Sequence, residues 1–299
     1  MESAALELPA FAKINLSLRI LGRRSDGYHE LVTVMQTISL ADRLRFEPAN
    51  EIFLECCGPI KVSAGADNLI LRAARTLQHR FEVSAGARIW LEKHIPVGAG
   101  LGGGSSDAAS TLYGLSRIWK LNPTEGDLLA IAAELGSDVP FFLYGGTAIA
   151  SGIGADILKF ADVSIPPVLV VTPEVAVPTA KAYSLIRAES LTIGTSNRIL
   201  PVCREIVKSG TFPTAAMQND FEAVVFSAYP EVFRVRKALI ECGAMHAMLS
   251  GSGSSVIGFF DNEEKRHAAL KALDKEVTWR KFAVAAVGRD RFRAQMNSA

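Results

Sequence analysis

Residues 6–21 alternate, with Ala12, Ile14, Leu16, Leu18 and Ile20 on one face and Lys13, Asn15 and Ser17 on the other. That period predicts a strand. Residues 30–56 carry the same β-branched alternation and predict strand structure too. Leu69, Ala73, Ala74 and Leu77 then recur at helical spacing, which predicts a helix from Asn68 to Phe81. Arg88 to Ile95 alternates again and runs into a glycine-rich stretch. Beyond it, Ala108, Leu112, Leu115 and Trp119 fall on one helical face. Asn122-Pro123 breaks that helix, and Thr124 with Asp127 resembles a capping box opening a further helix, Leu128 to Leu135. Gly145 to Ala150 reads as a returning strand.

Ile165-Pro166-Pro167 reads as a crossing point, followed by a buried strand from Val168 to Val171. The second half is richer in helical patterns. Strands are expected at 247–249, 256–260 and 282–287, with a helix over Glu263–Lys275 between the last two. A strand-strand-helix-strand ending suits a split βαβ layer. The fold class is therefore α+β in two lobes, divided at residues 1–160 and 161–299. No internal repeat or low-complexity tract interrupts the pattern.

Composition narrows the functions. The chain has 299 residues, 49% hydrophobic and 21% charged, as ordinary globular proteins do. A net charge of +1 supplies no basic field for nucleic acid, so a phosphorylated ligand must meet local donors. No apolar run nears the ~18 residues that span a bilayer, and no secretory leader is visible at the N-terminus. The cysteines, Cys56, Cys57, Cys203 and Cys242, form no C-x-x-C pair and have no His at metal-ligand spacing. Such thiol usage suits a cytoplasmic protein. His79, His94, His246 and His267 form no catalytic or metal motif and read as structural or surface residues.

The chemistry concentrates in Pro96-Val97-Gly98-Ala99-Gly100-Leu101-Gly102-Gly103-Gly104-Ser105-Ser106-Asp107. Five glycines in seven positions let backbone N–H groups approach a ligand, and the helix that follows turns its unpaired N–H groups toward it. That is a phosphate site in physical terms, although a plain glycine-rich turn is the simpler alternative. No Lys follows the glycines, so the stretch is not G-x-x-x-x-G-K-[ST]. Gly98, Gly100 and Gly103 do fit G-x-G-x-x-G, which keeps a nucleotide-binding oxidoreductase open. The order strand-loop-helix-helix lacks the second strand that such a site requires.

Pro96 to Ala109 resembles the phosphate loop of the GHMP kinases. Three further segments match in the family's order: Phe11 to Leu18 with Gly22 to Leu31, then Leu135-Gly136-Ser137-Asp138-Val139-Pro140-Phe141-Phe142, then Ser250 to Ser255. Gly27-Tyr28-His29 resembles the branch whose substrate carries a cytidine diphosphate on methylerythritol. A homoserine- or mevalonate-type kinase is the rival within the family. Phe11 departs from the family's pattern, which has Pro or a small residue there.

The resemblance implies the two-lobed GHMP fold, an N-terminal α/β lobe and a C-terminal ferredoxin-like lobe, with the site between them. It implies ATP and Mg²⁺, with ATP at residues 96–106. It implies that Lys13 bonds the catalytic carboxylate and the reacting hydroxyl, that Asp138 is the general base, and that Asn15 is a substrate-side donor. It further implies that Tyr28 stacks on the cytosine while His29 hydrogen-bonds it, with Tyr183 closing the other face. A monomer or weak homodimer acting on a small molecule is expected. The plain alternatives are a solvated strand face for Lys13, a helix cap for Asp138, Ser105 and Ser106, loop packing for Tyr28-His29 and a core position for Tyr183. Asp107 reads as a helix-start residue favoured by the dipole.

Overall fold

The computed structural model describes residues 5–186 and 209–297; Cys203 lies outside them. Six strands form the first sheet: β1 (Leu6–Arg23), β2 (His29–Ala49), β3 (Ile52–Cys57), β4 (Gly86–Glu92), β5 (Thr147–Gly152) and β6 (Asp156–Lys159). Their order is β3-β4-β2-β5-β6, with β1 also paired to β2. Helices α1 (Leu69–Arg80), α2 (Gly103–Ile118) and α3 (Glu125–Leu135) accompany this sheet. The apolar faces of α1 and α2 meet the sheet through Ala74, Leu77, Ala108, Leu112, Phe46 and Ile89, all fully buried.

Local signals explain most boundaries. The Asn68 side chain accepts from the Ile70 N–H and starts α1. Thr124 and Asp127 form a reciprocal capping box at α3. Gly136 ends α3 with an extended backbone, not a left-handed one. The expected single strand 30–56 is two strands, separated by a bend at Asn50 and Glu51. Gly145 and Gly146 belong to a turn with φ of +62° and +69°, so the returning strand begins at Thr147.

The second sheet holds β7 (Val168–Thr172), β8 (His246–Leu249), β9 (Val256–Phe259) and β10 (Arg280–Val284) in the order β10-β7-β9-β8, with every pair antiparallel. Short α4 (Phe141–Tyr144) and α5 (Thr179–Ser184) precede α6 (Glu222–Ala228) and α7 (Pro230–Glu241); α8 (Glu263–Ala272) joins β9 to β10. The βαββαβ order is ferredoxin-like. The last helix, α9 (Arg289–Asn297), returns to the first lobe, where Phe292 and Met296 enter its core. There Phe11 packs on Phe292, ring centroids 5.8 Å apart. The unusual Phe11 is thus matched by an aromatic from the far end of the chain.

β1 serves both lobes because its register breaks. Pairing with β2 slips between Phe11 and Lys13 and again between Asn15 and Ser17. Before the first break, Leu8, Ala10 and Phe11 face the helices of the first lobe. After it, Ala12, Ile14 and Leu16 pack against Val168, Val170, Met248 and Ile257 of the second sheet. Such bulges re-aim side chains beside functional sites.

Candidate active site

The first break frees the Lys13 backbone N–H from the ladder. It donates instead to the Leu101 carbonyl of the glycine-rich loop, 3.0 Å away. Lys13 and Asn15 are not solvated: they are 3% and 2% exposed. Lys13 Nζ donates to Asn15 Oδ1 at 2.7 Å and to the Gly100 carbonyl at 3.1 Å. It also lies 3.7 Å from Asp138 Oδ2. Asn15 Nδ2 donates to Thr33 Oγ1, which donates to the Ser17 carbonyl. Every polar group around the ammonium is thereby oriented, as a buried polar cluster requires.

Asp138 sits in the turn between α3 and α4. It does not cap the next helix, whose N-cap is Pro140 with no side-chain bond. Its side chain is 38% exposed, so the carboxylate is reachable from the cleft while Lys13 is sealed behind it.

The loop glycines meet separate demands. Gly98, Gly100 and Gly102 have φ of +63°, +76° and +71°, a region costly to residues with a Cβ. A Cβ on Gly100 would collide with the Ser250 carbonyl oxygen, while one on Gly98 would meet nothing within 4 Å. Gly103 turns inward: its Cβ would lie 2.9 Å from Lys93 Nζ and from Ile95. Ala99 and Leu101 are buried, so they offer only backbone. The N-cap of α2 is Gly102, which supplies no side-chain cap. Ser105 and Ser106 lie inside the helix and do not cap it. The first-turn N–H groups of a 16-residue helix therefore face an open cradle, as a phosphate requires.

The second lobe closes the cradle. Ser250 Oγ donates to the Gly100 carbonyl at 3.0 Å, and the Ser255 N–H to the Ala99 carbonyl at 3.1 Å. Asn219 Nδ2 holds the Leu249 and Gly251 carbonyls at 2.9 and 2.8 Å. Thr179, at the start of α5, meets Ser252 Oγ at 3.0 Å. That contact ties the helix carrying Tyr183 to the same turn.

Tyr28, His29 and Tyr183 do not form an open slot in this arrangement. Tyr28 is 63% exposed. His29 stacks on Tyr183, centroids 4.9 Å apart and planes 20° from parallel. A base between two rings needs about 7 Å, twice an ordinary stacking distance. Tyr183 also packs edge-on against Phe221, at 4.8 Å. Burial, and secondarily the Asp138 charge, push its phenol up to about 12. Burial lowers the His29 imidazole, with Arg23 adding to the effect.

Asp107 does not stand in the first turn of α2, where the dipole would favour it, but one turn further in. It is buried, and its Oδ2 takes Lys93 Nζ at 2.6 Å, while Asp42 Oδ2 takes the same ammonium at 2.5 Å. Burial, with the Asp42 charge nearby, holds the Asp107 carboxyl above the usual carboxylate range against the opposing pull of Lys93. Asp42, Lys93 and Asn219 carried no signal in the sequence, since each stands alone in an unremarkable context.

Among the described residues no group of three His, Cys, Asp or Glu could hold a metal ion. The G-x-G-x-x-G reading does not survive, because β5 after the two helices pairs antiparallel with β2 instead of extending a parallel unit beside β4. Among the described residues no helix is long and apolar enough to cross a membrane.

Comparison with known proteins gives the same frame. The GHMP kinases N terminal domain matches residues 68–146, and the GHMP kinases C terminal domain matches 211–278. A protein of Thermoanaerobacter pseudethanolicus named 4-diphosphocytidyl-2-C-methyl-D-erythritol kinase is 38% identical over 273 residues, covering 91% of this chain and 93% of that protein. A crystal structure of 4-(cytidine 5'-diphospho)-2C-methyl-D-erythritol kinase superposes with a TM-score of 0.80 at 37% identity, covering 95% of this chain and 100% of that one. A homoserine kinase from Cytophaga hutchinsonii, 18% identical with a TM-score of 0.71, covers 97% of this chain and 96% of its own; it shares the fold.

Proposed function

This chain belongs to the GHMP kinase family, in its 4-diphosphocytidyl-2-C-methyl-D-erythritol kinase branch, and we propose that it transfers the γ-phosphoryl group of ATP to the 2-hydroxyl of 4-(cytidine 5'-diphospho)-2-C-methyl-D-erythritol. The product would serve the non-mevalonate route to isoprenoids. The observation that carries the reading is the Lys13–Asp138 pair, 3.7 Å apart, with Lys13 bonded to the carbonyl of Gly100 in the phosphate loop.

In this reading the triphosphate lies on the loop 96–106 and the N-terminus of α2, and Mg²⁺ carried with the nucleotide would offset part of its charge. Asp138 takes the proton of the 2-hydroxyl as that oxygen bonds to the γ-phosphorus. The bond from the γ-phosphorus to the bridging oxygen breaks, and ADP leaves. Lys13, already fixed by Asn15 and Gly100, holds the carboxylate and the reacting oxygen together and offsets charge on the phosphoryl group. Asn15 lies on the same strand face, beside the substrate's polyol.

The cytidine end is assigned to Tyr28, His29 and Tyr183. Binding a base here requires His29 to leave the Tyr183 ring and turn its edge toward the cytosine, with Tyr28 folding over the other face. Tyr183→Ala should weaken binding of CDP by about ten- to a hundredfold, on the scale of base–aromatic stacking. Titration with CDP, with and without a non-hydrolysable ATP analogue, checks this. The reading expects CDP and the analogue to bind together. CDP that binds only by displacing the analogue would remove the cytidine slot and leave a GHMP kinase of another substrate.

A further inference from the structure

We propose that Lys93 is a positioning residue for the nucleotide: its ammonium, gripped by Asp42 and Asp107, pins the entry and the exit of the glycine-rich loop to a single point. The inference rests on the reading of that loop as the ATP site.

Three elements meet at this ammonium. Asp42 stands on β2 and is fully buried. Its Oδ1 accepts the His94 and Ile95 N–H groups at 2.5 and 2.8 Å, at the point where β4 gives way to the loop. Its Oδ2 accepts from Lys93 Nζ. Asp107, the fifth residue of α2, accepts from the same Nζ. The chain therefore leaves β4 and enters α2 at sites joined by two charge-assisted bonds. Between them lie three glycines in the left-handed region, whose backbones have little preference of their own. Unpinned, such a loop loses more entropy on closing around a phosphate.

Lys93 does not reach the phosphate itself. It is 2% exposed and stands directly behind Gly103, the first residue of α2. Nor is the cluster explained by stability. A Lys93–Asp42 pair alone would be neutral and satisfied. Asp107 adds a second buried carboxyl whose Oδ1 has no hydrogen-bond partner among the described residues. An unsatisfied buried polar atom destabilises a fold. What Asp107 contributes is the third anchor, on the helix that opens the site.

The test compares Asp107→Ala and Asp107→Asn with the unaltered full-length chain. Asp107→Ala leaves the neutral Lys93–Asp42 pair, so it should fold with an undiminished Tm. Its Kd for β,γ-imido-ATP and its KM for ATP should rise about five- to tenfold, part of the worth of a charge-assisted bond. Its kcat at saturating ATP and its affinity for CDP should stay at the wild-type level. Asp107→Asn keeps an acceptor for Lys93 and should restore ATP affinity. Unchanged ATP affinity in Asp107→Ala would overturn the proposal. So would failure of Asp107→Ala to fold, a joint fall in ATP and CDP affinity with a lowered Tm, or an Asn variant no better than Ala. If the wild-type chain itself does not bind β,γ-imido-ATP, the ATP-site reading fails first and takes this inference with it.

Discussion

Asp138→Asn should lower kcat by about 10²–10⁴, the usual worth of a general base, while affinity for a non-hydrolysable ATP analogue stays unchanged. Asn matches Asp in size, so the turn between α3 and α4 is kept. The carboxylate's recorded partner is Lys13 Nζ at 3.7 Å, a distance that holds orientation without welding the pair shut. Removing the negative charge leaves Lys13 its bonds to Asn15 and Gly100, so the phosphate loop keeps its shape. What is lost is the acceptor for the substrate's proton. Single-turnover rates at saturating ATP and alcohol separate this step from binding. A variant that turns over at near-normal speed would remove Asp138 from the mechanism.

Lys13→Met should lower kcat by about 10²–10³, the range seen when one preorganised group stabilising the transition state is removed. Met keeps most of the stem and its packing against Gly102, where the Lys13 Cγ lies 3.1 Å from the position of a Cβ. The profile should differ from that of Asp138→Asn. The Gly100 carbonyl and Asn15 Oδ1 both lose a donor, and Gly100 belongs to the phosphate loop. ATP affinity should therefore fall as well, by about three- to tenfold for one charge-assisted bond to a carbonyl. Equilibrium titration with the ATP analogue reads that second effect. A variant that loses turnover with ATP affinity intact would confine Lys13 to the reacting oxygens and contradict its place in the loop's support.

Local signals made the element order readable. The caps of α1 and α3 rest on side chains two or three residues from the N–H groups they satisfy, so neighbours in sequence were enough. Three of the loop's five glycines, Gly98, Gly100 and Gly102, are equally legible, because positive φ is a local requirement. The phase of β1 was not. Its alternation suggests one buried face and one wet face, whereas two register breaks bury Ala12 and Lys13 alike, on opposite sides. Burial of the polar face depends on the glycine-rich loop and on the second sheet, both distant in sequence. The same distance hides Asp42, Lys93 and Asn219, whose roles are set by partners from other strands. It also hides the stacking contact between His29 and Tyr183, two residues that the family resemblance places around a base. Gly103 carries a second demand that the sequence hides, since a Cβ there would lie 2.9 Å from Lys93 Nζ and from Ile95.

The central claim is the identity of the phosphoryl acceptor, and a coupled assay of ADP release tests it most directly. Purified chain, ATP and Mg²⁺ are incubated in parallel with 4-(cytidine 5'-diphospho)-2-C-methyl-D-erythritol, mevalonate and homoserine. The account predicts stoichiometric ADP release with the cytidine-bearing alcohol, slowed about 10²–10⁴-fold in Asp138→Asn, and none above background with the other two. ADP release with mevalonate or homoserine, and none with the cytidine-bearing alcohol, would contradict it.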